Sequence, residues 1–223
     1  GIHYLGFESL ELRLGKGSDD FSVDSTPLGS TLLLNTGDEI AVVNQTNDTV
    51  NVGSIGGTTT IQLGKGNDVV RVNYDRFGNQ TFRNGLSATL NLDGGADSDT
   101  YMIGLSGLVN AAGANLTTIN IADITGAQET GVNQLQIFGT DSADFFLFRA
   151  NQTIQPATAM VGAFRVAPDG TPMLDGVMER VNYGATINGG IQVFGRNVLL
   201  VNEKTAPDPA VQPFAVCRVS QVS

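Results

Sequence analysis

The sequence predicts an all-β protein, a right-handed parallel β-helix or β-roll solenoid with looped-out inserts. Three observations lead there. One phrase occurs twice, Leu14-Gly-Lys-Gly-Ser-Asp-Asp-Phe-Ser-Val23 and Leu63-Gly-Lys-Gly-Asn-Asp-Val-Val-Arg-Val72, and repeated strand–turn–strand units mark stacked coils. Apolar residues alternate with polar ones in short runs, and no stretch sustains a helical period. Glycine is frequent (28 residues), with Asn and Thr between β-forming apolar residues, a composition that suits short strands and tight turns.

Both copies of the phrase read alike. A strand-like run, residues 11–14 or 59–63, ends in Leu-Gly. The turn that follows carries Gly15 and Gly17, or Gly64 and Gly66, because glycine enters the positive-φ region that tight turns use. Asp19 or Asp68 comes next, and alternation restarts with Phe21 and Val23, or Val70 and Val72. Period two puts each of those pairs on one buried face.

The remaining elements follow the same grammar more loosely. Residues 1–14 read as two short strands around Gly6, and 31–34 as a strand. Asp38 precedes Ile40 and Val42 in a shortened turn, and Asp48 precedes Val50 and Val52. The polar stretch 73–87 is expected to loop out. Residues 88–92 restore the strand and lead to Asp97 and Asp99, ahead of Tyr101 and Ile103. Strands are expected at 116–122 and 134–138, then a degenerate turn at Asp144 before Phe146 and Phe148. Residues 149–176 read as an irregular excursion. Strands return at 178–183 and 190–194, and a turn lacking Asp is expected after Gly195. Residues 1–203 thus make one solenoid domain. Pro207, Pro209 and Pro213 make 204–223 a cap or a disordered tail, since proline cannot donate to a central ladder.

Charge narrows the partners. Twelve basic against 22 acidic residues give −10 and a pI near 4.3. No basic stripe exists for a nucleic acid, and the excess suits a cation-binding or highly solvated surface. Cys217 is the one cysteine, so neither an internal disulfide nor a thiolate metal site is available. No apolar run reaches the roughly eighteen residues of a membrane helix. The acidic, cysteine-poor, Gly/Asn/Asp/Thr-rich composition points to a secreted bacterial protein, extracellular or at the cell surface. Gly1 falls inside a strand-like phrase, so a longer parent chain is expected.

The candidate site lies in the turns. A carboxylate set among converging turn carbonyls is the oxygen cluster that Ca²⁺ takes, and the candidates are Asp19, Asp38, Asp48, Asp68, Asp97, Asp99 and Asp144. At about twenty residues per coil, Asp19 and Asp38 would stack on one edge, and Asp48 and Asp68 on the other. A strand spacing of about 4.8 Å would bring stacked turns within reach of a shared ion. The same carboxylates can instead cap turns by accepting backbone N–H groups.

The stretches 6–31 and 46–54 resemble the repeat units of very large bacterial surface proteins with haemolysin-type, repeats-in-toxin-like calcium-binding motifs. The likeness covers 2–103 well, 132–148 partly and 178–202 loosely. It is carried by the Gly-x-Gly-x-Asp-x-apolar core at Gly15–Phe21 and Gly64–Val70. It implies a parallel β-helix or β-roll, secretion and Ca²⁺-dependent folding. Asp19, Asp68 and Asp99 fall at the motif's ligand positions, and Asp38, Asp48 and Asp144 in weaker copies. In that family nonapeptides stack back to back, whereas long phrases separate the motifs in this chain.

Catalytic constellations are scarce. His3 is the only histidine, which excludes a His-based triad and a two-His metal site. Arg71, Arg76, Arg83, Arg165 and Arg180 are scattered, and there is no Trp to stack a sugar. The expected function is therefore mechanical. It is a non-enzymatic structural or adhesion segment, stabilised by Ca²⁺ at its turns, with other segments or copies of a larger assembly as partners and glycan as a further candidate. The alternatives are a carbohydrate-active β-helix enzyme (lyase or hydrolase) and a glycan- or protein-binding module using 73–87 or 149–176.

Overall fold

A computed structural model describes residues 1–37, 47–81, 85–104, 118–122, 131–151, 158–165, 179–184, 187–203 and 218–221. Every regular element among them is a strand. The short alternating runs form β1 (Ser9–Arg13), β2 (Asp20–Val23), β3 (Thr31–Asn35), β4 (Thr49–Val52), β5 (Thr58–Gln62), β6 (Val69–Val72), β7 (Leu90–Asp93), β8 (Thr100–Gly104) and β9 (Thr118–Ile121). β1, β3, β5, β7 and β9 pair in parallel as one sheet. β2, β4, β6 and β8 pair in parallel as another, continued by β10 (Gln134–Asn151). The chain changes sheet at each successive strand, which is the pattern of a β-solenoid.

Strict register turns the alternation into columns. Phe21, Val50, Val70, Tyr101 and Leu135 stack in one sheet, beside Val23, Val52, Val72, Ile103 and Ile137. Leu12, Leu34, Ile61, Leu92 and Ile121 face them from the other. The inner members are fully buried, and each such side chain is stabilised by about 1.5–3 kcal/mol relative to exposure. Tyr101 is the bulkiest insertion. Its hydroxyl accepts the Gly94 N–H at 2.8 Å, and a Cβ at position 94 would overlap both that hydroxyl and the Asp99 carboxylate. Gly95 (φ 94°) lies against the Gly64 carbonyl one coil earlier, so this turn requires glycine for both angle and approach.

The C-terminal end departs from the rhythm. β12 (Glu179–Gly184) continues the odd sheet parallel to β9. β13 (Ile191–Glu203) and β14 (Arg218–Gln221) continue the even sheet beyond β10. β11 (Thr158–Arg165) runs antiparallel to both β10 and β12 and joins the two sheets.

Several sequence expectations are corrected. Residues 1–8 form no strand. Asp144 lies inside β10 opposite Arg165, not at a turn. The turn signal at 139–144 survives only as register shifts between Phe138 and Phe145, the local irregularity that a bulge produces. β13 runs straight through Gly195, and part of the supposed excursion 149–176 is β11. The 73–87 insert is anchored at its base by buried Asn73, Tyr74 and Leu86, while Phe77 between them is exposed. Within the tail, Arg218–Gln221 pairs in parallel with β13, and all three prolines precede that strand.

Candidate functional site

β2, β4, β6, β8 and β10 each begin one residue after an Asp or Asn, and those residues form a continuous row across the coils. Asp19 N–H donates to Asp48 Oδ1 (2.8 Å), Asp48 N–H to Asp68 Oδ1 (2.7 Å), and Asp68 N–H to Asp99 Oδ1 (2.9 Å). The row continues through Asp99 N–H to Asn133 Oδ1 (2.7 Å) and Asn133 N–H to Asn188 Oδ1 (2.8 Å). Main-chain bonds tie the same steps: Thr49 N–H to Asp19 O, Val69 N–H to Asp48 O and Thr100 N–H to Asp68 O. Each side chain therefore reaches back to the preceding coil while its carbonyl holds the next.

One residue earlier a second row runs the other way. Ser18 Oγ accepts Asn47 N–H (3.2 Å), Asn47 Oδ1 accepts Asn67 N–H (2.9 Å), and Asn67 Oδ1 accepts Ser98 N–H (2.9 Å). Ser98 Oγ then accepts Val132 N–H (2.9 Å). These side chains reach forward. Adjacent residues of one turn thus grip opposite neighbours, and the N–H groups that a tight turn leaves outside the sheet ladders find acceptors.

The inner row is buried: Asp48 is 0%, Asp68 1% and Asp99 1% exposed. A buried carboxylate is tolerated only when it is hydrogen-bonded, and a bond to a charged acceptor contributes about 1.5–3 kcal/mol. Asn133 and Asn188 do the same work without charge, so the row requires an acceptor oxygen. Ca²⁺ requires six to eight converging oxygens. In the inner row Oδ1 of Asp48, Asp68 and Asp99 is held by a main-chain N–H. Among the described residues no three His, Cys, Asp or Glu side chains converge on a metal position.

Asp19, Asp48, Asp68 and Asp99 therefore come together in one row, where the spacing rule had put Asp19 and Asp48 on opposite edges. Successive members lie 29, 20 and 31 residues apart, because a coil's length is set by its loops. Asp97 sits in the same turn as Asp99 with φ 80°, outside the row. Asp38 lies outside the described residues, and Asp144 belongs to β10. The sequence reading missed Ser18, Asn47, Asn67, Ser98, Asn133 and Asn188. The dipeptides Ser18-Asp19, Asn47-Asp48, Asn67-Asp68 and Ser98-Asp99 carried that signal.

Side-chain amides also link coils on the outer face of the odd sheet. Asn182 donates to Asn120 (2.7 Å), Asn120 to Asn91 (2.9 Å), and Asn91 to Thr60 (3.4 Å). At the opposite turn Asn73 (φ 63°) donates to Gly104 O at 2.6 Å and accepts Gly85 N–H at 3.1 Å. It anchors a small projection in which Asp75 accepts the N–H groups of Phe77 and Asn79, both at 2.9 Å. The Asn79 N–H is the main reason the Asp75 carboxyl is held below its usual range, with its side chain, Phe77 and Arg76 adding to it. Burial raises the Tyr74 phenol, and Arg71 partly offsets that. Exposed Phe77 caps the projection, with the Arg76 guanidinium 4.9 Å from its ring centroid.

No protein-family model, curated protein or solved structure matches this chain.

Proposed function

We propose that this chain is a non-enzymatic structural or adhesion segment, a stiff β-solenoid working outside the cell or at its surface as part of a larger assembly. One observation carries the reading. The side chains of Asp48, Asp68 and Asp99, three of the candidate ligands, hold coil to coil, and Asn47 and Asn67 do so in an oppositely directed row. Each coil is stabilised by its neighbours alone, so stability grows as a nearest-neighbour sum and the unit resists extension along its axis. A carbohydrate-active enzyme would place paired carboxylates beside a basic group in a groove. Among the described residues the ion pair is Arg13 with Glu11 (2.5 Å), exposed on β1.

Localisation tests the setting. An antibody raised against the chain should label intact cells of the source organism, or their medium; label only after permeabilisation would sink the reading, as would turnover of any member of a polysaccharide panel. Calcium is tested separately by thermal unfolding in EGTA and in millimolar Ca²⁺. Because main-chain N–H groups already occupy Oδ1 of Asp48, Asp68 and Asp99, the two melting temperatures should agree within about 2 °C, less than a 1 kcal/mol effect in a chain of this size. A large gain in β signal and melting temperature with Ca²⁺ would restore an ion to the Asp turns.

A further inference from the structure

The outward face of the odd sheet is ordered beyond what folding needs. Thr31 pairs with Thr58. Thr59 pairs with Leu90 and Leu90 with Ile119, so Thr58, Thr89 and Thr118 share one rank. Two residues along, Thr60, Asn91, Asn120 and Asn182 share the next, linked by their own hydrogen bonds. Asn35, Gln62 and Asp93 make a third. None of these residues is buried, so packing of the core does not choose them. Asn is depleted in strands, yet it holds one rank over three neighbouring strands. The outward face of the even sheet follows no such rule: Thr49 aligns with Asp20 and Val69, and Asn51 with Arg71.

We propose that this face binds one extended, neutral polysaccharide lying along the solenoid axis. Charge points there first. The protein carries −10, yet among the outward positions of β3, β5, β7 and β9 Asp93 alone is charged, so an anionic polymer meets no counter-charge on these strands. Geometry agrees. The strands repeat at about 4.8 Å, close to the advance of one pyranose unit in a fully extended polymer, so each unit meets the same kind of group as the last. A Thr hydroxyl both donates and accepts, and an amide nitrogen carries two N–H groups, of which the Asn ladder uses one. Sugar hydroxyls take that mixture. Thr is stiff at χ1 and the laddered amides are already held, so little side-chain entropy is lost on binding.

Size argues against a protein partner, a second copy included. From β3 to β12 the three ranks cover about 19 Å by roughly 13 Å, on the order of 250 Å², against about 800 Å² per partner in a stable protein interface. Leu33, opposite Thr60, is the one apolar member of the ranks, whereas the cores of protein interfaces are apolar and aromatic. A single slender polymer fits both limits. The face lies on neither 73–87 nor 149–176, the stretches to which the sequence had pointed for a binding surface. This inference deepens the adhesion reading and rests on it for its setting.

The test is co-sedimentation of the intact protein with insoluble neutral polysaccharides (a β-glucan, a mannan and a xylan) and with an anionic pectate. At least one neutral polymer should retain the parent, equally at low salt and at about 1 M. Thr58→Lys combined with Thr118→Lys should weaken retention at least about tenfold with the melting temperature unchanged, and the paired Ser variant should keep most of it. Thr100→Lys, outward on the even sheet, should bind as the parent does. Should the Lys pair melt early, a soluble oligosaccharide of the retained polymer titrated into the unaltered protein decides: amides of β5, β7 and β9 should shift, and those of β4, β6 and β8 should not. No retention by any neutral polymer would overturn the proposal. So would undiminished retention by the Lys pair, shifts on the even sheet instead, or retention by pectate alone. Self-association of the parent that the Lys pair abolishes would assign the face to a second copy, and shaping of ice crystals without glycan retention would assign it to ordered water; either overturns it. Each of those leaves the surface-scaffold reading standing, because localisation decides that one.

Discussion

The coils up to β8 and the region from β10 onward use the same sheets but different rules. In the first region every step pairs parallel strands, and Asp48, Asp68 and Asp99 carry the inner row. In the second, Asn133 and Asn188 continue the row and β11 runs antiparallel. β10 keeps the coil register over its first five residues against β8, then runs on beside β11. The contrast shows what makes the chain coil. Apolar alternation is present in both regions, but the Ser/Asn-Asp pair ahead of a strand is confined to the first. Alternation makes strands; the paired acceptors accompany the parallel steps from β2 through β8.

The largest perturbation of that comparison is a cavity in a buried column of either region. Ile61 and Val193 are both 0% exposed. Ile61→Ala should lose about 2–5 kcal/mol, and Val193→Ala somewhat less because fewer atoms are removed. Calorimetry then separates two cases. One shifted transition in both variants means the regions unfold together. A split transition in Val193→Ala alone would make the β10–β14 region a separate cooperative unit.

Next in size is the inner row. Asp68→Ala leaves the Asp48 N–H without its acceptor and should cost about 1–3 kcal/mol in chemical denaturation. Asp68→Asn should recover most of that, since Asn133 and Asn188 hold equivalent steps with a neutral oxygen. If Asn is as damaging as Ala, charge matters at these steps and the hydrogen-bond account is wrong.

The smallest effect belongs to the projection at 75–79. The Asp75 carboxyl titrates below its ordinary value of 3.8, chiefly through the Asn79 N–H. A depressed carboxyl stabilises the folded form above its unfolded pKa, and that contribution disappears as pH falls through the folded one. Lowering pH from about 5 to below about 3 should loosen the Phe77 and Asn79 amides in exchange experiments, and Asp75→Ala should remove the dependence. The coils on either side should not notice.

Much of the fold was legible in residues alone. The duplicated phrase, the alternation at Val70/Val72 and Tyr101/Ile103, and the absence of helical periodicity all pointed to stacked strands. The candidate aspartates were legible too, but their grouping was not. Spacing could not put Asp48 beside Asp19, because the loops between them vary in length while the strands do not. Their chemistry was hidden for a related reason. Whether a turn carboxylate faces an ion or an amide depends on what the neighbouring coil presents, and that neighbour is 20 to 31 residues away. The antiparallel β11 lay in a stretch whose local pattern is weak; only its partners β10 and β12 define it.

The unequal steps along the inner row have a practical meaning. Residues 20 and 34 apart make the same bond, at 2.7 Å in both cases. The row sets the pitch, and the segment that returns to it is free to grow, as residues 73–81 have done in projecting Phe77 outward. A chain built this way separates inheritance of its frame from invention at its surface: a loop can lengthen, change composition or acquire a binding tip while the next coil still lands on the same two acceptors.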